Sequence, residues 1–174
     1  MIVSVHTNAQ NVNEIATALF KDVKTKLTPA EKNTIAGSLG FVLSGNKEIP
    51  FAQDKESKDY PFGCTVLPTD LNKDGLEEIF VIYGNSFTSG NTGSSVCLFI
   101  KAASGKYKMN LGFPSTVPDA LTAGKAGYPD LVMGGPGFEF PVWRWNGREY
   151  AYQRKITDAQ YSKSAKTSIE DLSK

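Results

Sequence analysis

An α+β domain, with N-terminal helices packed on a mainly antiparallel β-sheet, is the fold class this chain predicts. Three observations predict it. Apolar residues recur at helical spacing early in the chain. Short apolar and β-branched runs separated by turn residues dominate from residue 62. An Asn-Gly pair between two alternating aromatic segments marks a C-terminal β-hairpin. The chain has 174 residues, a length that one hydrophobic core readily serves. The expected organisation is residues 1–10 as a disordered start or the remnant of an export signal, 11–157 as a single domain, and 158–174 as a polar tail. Within the domain, 11–45 is the helical part and 62–157 the β-rich part.

Thr7 and Ala9 are spaced like the minus-three and minus-one positions of a signal-peptidase site, although a basic leader is missing and the apolar stretch is short. Val12, Ile15, Ala16, Leu19, Phe20 and Val23 then follow helical spacing. Thr28-Pro29-Ala30-Glu31 starts a second helix. Thr28 can cap it, Pro29 suits its first turn and Glu31 can close a capping box. That helix is expected to run from Pro29 towards Ser38, with Leu39, Phe41, Val42 and Leu43 continuing the apolar segment. Residues 46–61 turn polar and read as a surface loop.

The clearest strands are 64–67, 79–83 and 96–101, with weaker ones at 107–111 and 131–133. Two cysteines, Cys64 and Cys97, would suit either one disulfide in an exported protein or two buried thiols. As members of three successive meander strands they flank a middle strand, a separation beyond disulfide reach, so free thiols are expected.

Between the first two strands runs Asp70-Leu71-Asn72-Lys73-Asp74-Gly75-Leu76-Glu77-Glu78. Asp70, Asn72 and Asp74 sit at loop positions one, three and five, and Glu78 at nine. Gly75 at six permits the turn that folds the oxygens inward, and the Leu76 carbonyl at seven adds a further oxygen. This is a ligand set for a hard cation such as calcium. It is not a complete EF-hand, because position twelve is Val81 and the exit is a strand. The pattern resembles the FG-GAP or VCBS-type calcium-loop repeat, with Glu78 in place of the commoner Asp at the last position. The resemblance covers a few dozen residues and implies a structural metal tying a strand entrance to its loop. The competing reading is a turn in which Asp70 and Asp74 accept backbone N–H bonds. Lys73 to Val81 also aligns without gaps to Lys125 to Met133. That second copy keeps Asp130 but has Thr122, Gly124 and Ala126 where the first has Asp70, Asn72 and Asp74, so it should hold no metal. If the repeat is real, the two strands occupy equivalent places.

Residues 84–95 form a long small-polar loop whose one bulky residue is Phe87. Phe87 and Asn91 are its candidate partner-binding residues. Gly134-Gly135-Pro136-Gly137 reads as a turn, since Pro136 removes a donor that a phosphate loop would need and the following Phe138-Glu139-Phe140 reads as a strand. Asn146-Gly147 calls for a two-residue type I′ hairpin. That register opposes Trp145 to Arg148, Arg144 to Glu149, Trp143 to Tyr150 and Pro141 to Tyr152. One face then carries Trp143, Trp145, Tyr150 and Tyr152, either as core or as an aromatic platform for a sugar or protein, with Trp143 and Trp145 as its binding residues.

Lys and Arg number 19 against 18 acids, a balance that argues against nucleic acid, and no apolar run is long enough to span a bilayer. The one histidine, His6, lies near the terminus, and no zinc spacing is present. A carboxylate pair for glycoside hydrolysis would come from Glu77, Glu78, Asp119, Asp130 and Glu139, with nothing to favour two of them. An enzyme is therefore not expected. The expected role is a periplasmic or secreted calcium-loop binding or interaction module, monomeric, with a protein or glycan partner. The alternative is an inhibitor or immunity-type protein that blocks a secreted enzyme through residues 84–95, and a carboxylate-dependent hydrolase is a third.

Overall fold

The computed structural model describes residues 4–135, 137 and 139–173, with side chains from residue 11 onward. Residues 1–3 of the expected export remnant, and Pro136 and Phe138 beside the glycine turn, lie outside the described residues. The chain opens with helix α1 (Ser4–Leu19) and helix α2 (Pro29–Leu39). The capping box of α2 is complete. Thr28 accepts from the Glu31 N–H at 3.3 Å, and the Glu31 carboxylate accepts from the Thr28 N–H at 2.8 Å. Gly40, at φ 71, ends the helix in the left-handed conformation. The apolar segment beyond it is therefore not helical: β1 (Val42–Leu43) pairs with β2 (Phe51–Ala52), which is buried inside the stretch read as a surface loop.

Two antiparallel meanders follow. The first comprises β3 (Cys64–Thr69), β4 (Glu78–Tyr83), β5 (Ser95–Lys101) and β6 (Tyr107–Pro114), in that spatial order. The second comprises β7 (Asp119–Lys125), β8 (Tyr128–Val132), β9 (Glu139–Trp145) and β10 (Tyr150–Thr157), with β11 (Lys166–Ser168) added on the outer edge of β7. The α+β class predicted from sequence is thus the fold of the chain. Cys64 lies on β3 and Cys97 on β5, with β4 between them, and both are free thiols.

Alternate residues of β4 and β5 serve two cores. Ile79, Val81, Cys97 and Phe99 pack with Ile15, Leu19, Ile35 and Leu39 of the helices. Phe80, Val96 and Leu98 face the other way, against Leu131, Met133 and Tyr150 of the second meander. Burial on both faces is why 79–83 reads as an unbroken apolar run rather than an alternating one. A smaller third core, built from Leu121, Val132, Val142 and Ile156, covers the outer face of the second meander, with Tyr161 of α4 (Asp158–Lys163) against it.

Three expectations need correction. The β9–β10 loop is not a two-residue turn. The Asn146 side chain accepts from the N–H groups of Arg148 and Glu149 at 2.9 and 3.0 Å, which spreads the loop over residues 146–149. Trp145 consequently pairs with Tyr150, and Trp143 with Tyr152. The slip is two residues as far as Tyr152, which keeps the aromatic residues on one face, and an irregularity at Gln153 then makes it three, so that Pro141 lies opposite Lys155. A two-residue hairpin with both central φ positive occurs instead at Ala126-Gly127 (φ 53 and 82), closing β7 on β8. Residues 84–95 are not structureless, for α3 (Ser86–Ser89) and a 3-10 turn (Gly90–Thr92) occupy them. The polar tail after Thr157, expected to fray or to form a short surface helix, does form the short helix α4, capped by Thr157 and Gln160, but β11 then joins the sheet and Ile169 of α5 (Ile169–Leu172) is fully buried.

Candidate functional site

The loop 70–78 joins β3 to β4, and its polar groups satisfy one another. Asp70 accepts from the Gly75 N–H at 3.0 Å, Asn72 from the Asp74 N–H at 3.2 Å and Asp74 from the Leu76 N–H at 2.8 Å. The Asn72 amide donates to the second Asp74 oxygen at 2.8 Å. Gly75, at φ 84, supplies the left-handed residue that lets the chain turn, and Lys73 shares that conformation at φ 61. Leu76 is exposed. Glu77 anchors the loop to the helical part, with its carboxylate accepting from the Thr25 hydroxyl and from the Lys26 N–H at 3.0 Å. The Tyr107 hydroxyl donates to its carbonyl at 2.8 Å.

Glu78 is different in kind. It is 2% exposed, and its carboxylate accepts from the Leu71 N–H at 2.7 Å and from the Tyr128 hydroxyl at 3.0 Å. Burial pushes its carboxyl up to about 7. The two hydrogen bonds oppose that rise, and the charges of Asp74 and Asp70 add to it. Oxygens alone make up the predicted ligand set, which suits a hard cation. As placed, those oxygens serve the loop's own N–H groups and Tyr128. Among the described residues, no three of His, Cys, Asp and Glu gather around a common point.

Asp130, the counterpart of Glu78, is fully buried on β8. Arg144 grips it with two bonds of 2.8 and 2.7 Å, and Arg154 approaches to 3.5 Å. The Arg144–Glu149 pair expected across the hairpin is thus replaced by Arg144–Asp130. The remaining carboxylates weighed for hydrolysis are also engaged, Asp119 with the Tyr161 hydroxyl and Glu139 with Lys155 at 3.4 Å.

The candidate partner residues separate into two groups. Phe87 is 59% exposed, and its ring lies parallel on Tyr60 with centroids 4.0 Å apart. Asn85 sets this pair, because its amide donates to the Tyr60 and Pro61 carbonyls at 3.1 Å while its oxygen caps α3. Asn91 is exposed on the 3-10 turn. Trp143 and Trp145 are half-buried and pack with buried Tyr150 against the core between the meanders, whereas Tyr152 on the same hairpin face is exposed. Trp143 stacks on Phe113 at 5.0 Å and Trp145 on Tyr128 at 4.4 Å. Tyr128, Tyr60 and Arg144 were missed in the sequence. The alignment of Glu78 with Asp130 passes through Tyr128, the hairpin register named Arg144 only as the opposite of Glu149, and no sequence signal marks Tyr60. A cleft of about 460 Å³ runs beside the loop, with Leu71, Lys73, Lys125 and Tyr128 in its walls.

No family model, curated protein or solved structure matches the chain. No described helix is long and apolar enough to cross a membrane.

Proposed function

We propose that this chain is an exported interaction module, periplasmic or secreted, whose loop 70–78 takes a structural calcium ion and whose partner is a protein or a glycan. One contrast carries the reading. Two buried acids lie each on the second strand of a meander, and among the described residues Asp130 is faced by two guanidinium groups while the Glu78 carboxylate accepts from an N–H and a phenol. A dication would supply the positive charge that Glu78 lacks, at the end of a loop that already brings Asp70, Asn72 and Asp74. Those side chains and the Leu76 carbonyl would be its ligands. An all-oxygen site open to solvent at Asp70, Asp74 and Leu76 fills where calcium is plentiful, which favours an exported location. The test is thermal melting of chelator-stripped protein. Calcium at a hundred times its dissociation constant should add about 2.7 kcal/mol, and Asp74→Ala should remove the effect. Identical melting with and without calcium rejects the ion.

The exposed Tyr60–Phe87 stack favours a second reading, an inhibitor or immunity-type protein acting through residues 84–95. Phe87→Ala should then leave melting unchanged and weaken inhibition of a secreted target enzyme about tenfold. Undiminished inhibition by the variant would remove the loop from consideration.

A further inference from the structure

A second cleft, of about 380 Å³, opens between the β5–β6 turn and the β9–β10 loop, and Tyr128 belongs to the walls of both clefts. Its volume lies in the range of small-ligand sites, roughly 300–1,000 Å³. Lys108 and Arg148 line it with exposed side chains, and neither makes an ion pair among the described residues. The third cation in the wall, Lys101, is already held by Glu31 at 2.8 Å, and the one carboxylate is the exposed Glu149. Asn110 adds a donor. Its side-chain oxygen accepts from the Tyr150 N–H at 2.9 Å, and its NH₂ group has no acceptor among the described residues. Trp145 forms part of the wall, held in place by Tyr128 at 4.4 Å and by Tyr150 edge-on at 5.6 Å.

The cleft therefore offers hydrogen-bond donors and positive charge beside a fixed aromatic ring. The complementary ligand carries an anionic group, many acceptor oxygens and an apolar C–H face that can lie on an indole. A guanidinium and an ammonium together suit a carboxylate, the first through its fork of donors and the second as a point charge. We propose that this cleft binds a negatively charged sugar, its carboxylate between Lys108 and Arg148 and its ring against Trp145. None of the candidate calcium ligands lines it, so the site stands whether or not the loop 70–78 holds an ion.

The experiment is a titration of isotope-labelled protein in the presence of chelator, following the indole N–H resonance of Trp145. Glucuronate is the probe, with glucose as the same ring without charge and acetate as the charge without a ring. Glucuronate should shift the Trp145 resonance saturably, and glucose and acetate should bind at least about tenfold more weakly. Lys108→Ala and Arg148→Ala should each weaken glucuronate binding several-fold while melting stays where it was. The proposal is overturned if glucuronate gives no saturating shift, if glucose or acetate matches it, or if binding survives both substitutions.

Discussion

Glu78 and Asp130 are each buried, each lies three residues after a glycine of positive φ, and each sits on the second strand of a four-stranded meander. Their surroundings differ because of what lies on the face each one shares. Glu78 points the same way as Phe80, into the core between the two meanders, where the second sheet covers it and supplies Tyr128. Asp130 points the same way as Val132, to the outer face of the second meander, which no further sheet among the described residues covers. There Arg144 and Arg154 reach the acid and stay 34% and 39% exposed, so their charge keeps part of its hydration. A guanidinium placed between two sheets would lose that hydration. The first acid is thus left with neutral partners and the second with cations.

Asp130→Asn should have the largest effect. It removes the charge that both arginines face and leaves their donors short of an acceptor. Breaking a buried pair from one side costs about 3–5 kcal/mol, and the partial exposure of the arginines argues for about 3. Glu78→Gln at neutral pH should cost far less, since a neutral group replaces one that already has neutral partners. Urea unfolding of the two variants measures both. Equal losses would mean that the two acids do the same work and that the contrast in their surroundings has no energetic meaning.

The next expected effect is a pH dependence that belongs to Glu78. Its folded-state pKa, about 7, lies above the ordinary carboxylate value, so the folded chain retains a proton that the unfolded chain has lost. Stability from this group is fully present below the unfolded pKa and falls as pH rises from about 4.5 through 7. The loss is on the order of 3 kcal/mol. Glu31 acts with the opposite sign. Hydrogen bonding to Lys101 and to Thr28 holds its pKa down to about 2, so its contribution is lost as pH falls towards that value. Glu78→Gln should flatten the decline between pH 4.5 and 7 and leave the acid side untouched. A variant that keeps the full decline would assign it to another group. Calcium in the loop would favour the charged form of Glu78, so calcium should shrink the decline as well.

Local chemistry made part of this legible in advance. The capping box at Thr28 and Glu31 needs only neighbours within a few residues, and the run at 79–83 carries its burial on both faces in its own composition, so both form as read. Asn146-Gly147 shows where local reading breaks. The dipeptide suits a tight turn, but the Asn146 side chain can also bind the two N–H groups beyond it, and that alternative forms here. β7 escaped notice because Ala120, Leu121, Thr122, Ala123 and Gly124 show little strand character alone. They are held by β8 and by β11, some 40 residues later. The partners of the two acids are non-local in the same way. Tyr128 stands 50 residues from Glu78, and Arg144 stands 14 from Asp130 on a strand whose register was misread. The aligned acids Glu78 and Asp130 both fall on the second strand of a meander, and nothing in the alignment could say that one would meet cations and the other would not.

The smallest expected difference lies at the two glycines. Gly75 has φ 84 and Gly127 has φ 82, so alanine at either is forced into the left-handed region at about 1 kcal/mol. Steric surroundings add little to separate them. A Cβ on Gly75 would meet nothing within 4 Å, and one on Gly127 would touch the Asn72 carbonyl and Cβ at 3.6 and 3.7 Å, ordinary contact distances. Gly75→Ala and Gly127→Ala should therefore lose equal stability, within about 0.5 kcal/mol, in metal-free protein. Calcium then sharpens the comparison. Gly75 sets the turn inside the ligand loop, so its substitution should also lower calcium affinity, whereas Gly127 belongs to the copy that lacks the ligand set and should leave affinity unchanged. Calcium titration of the two variants, each judged against its own metal-free melting temperature, reads the difference. If Gly127→Ala lowers affinity as much as Gly75→Ala does, the contact between Gly127 and Asn72 matters to the ion, and the two loops act as one site instead of a working copy and a silent one.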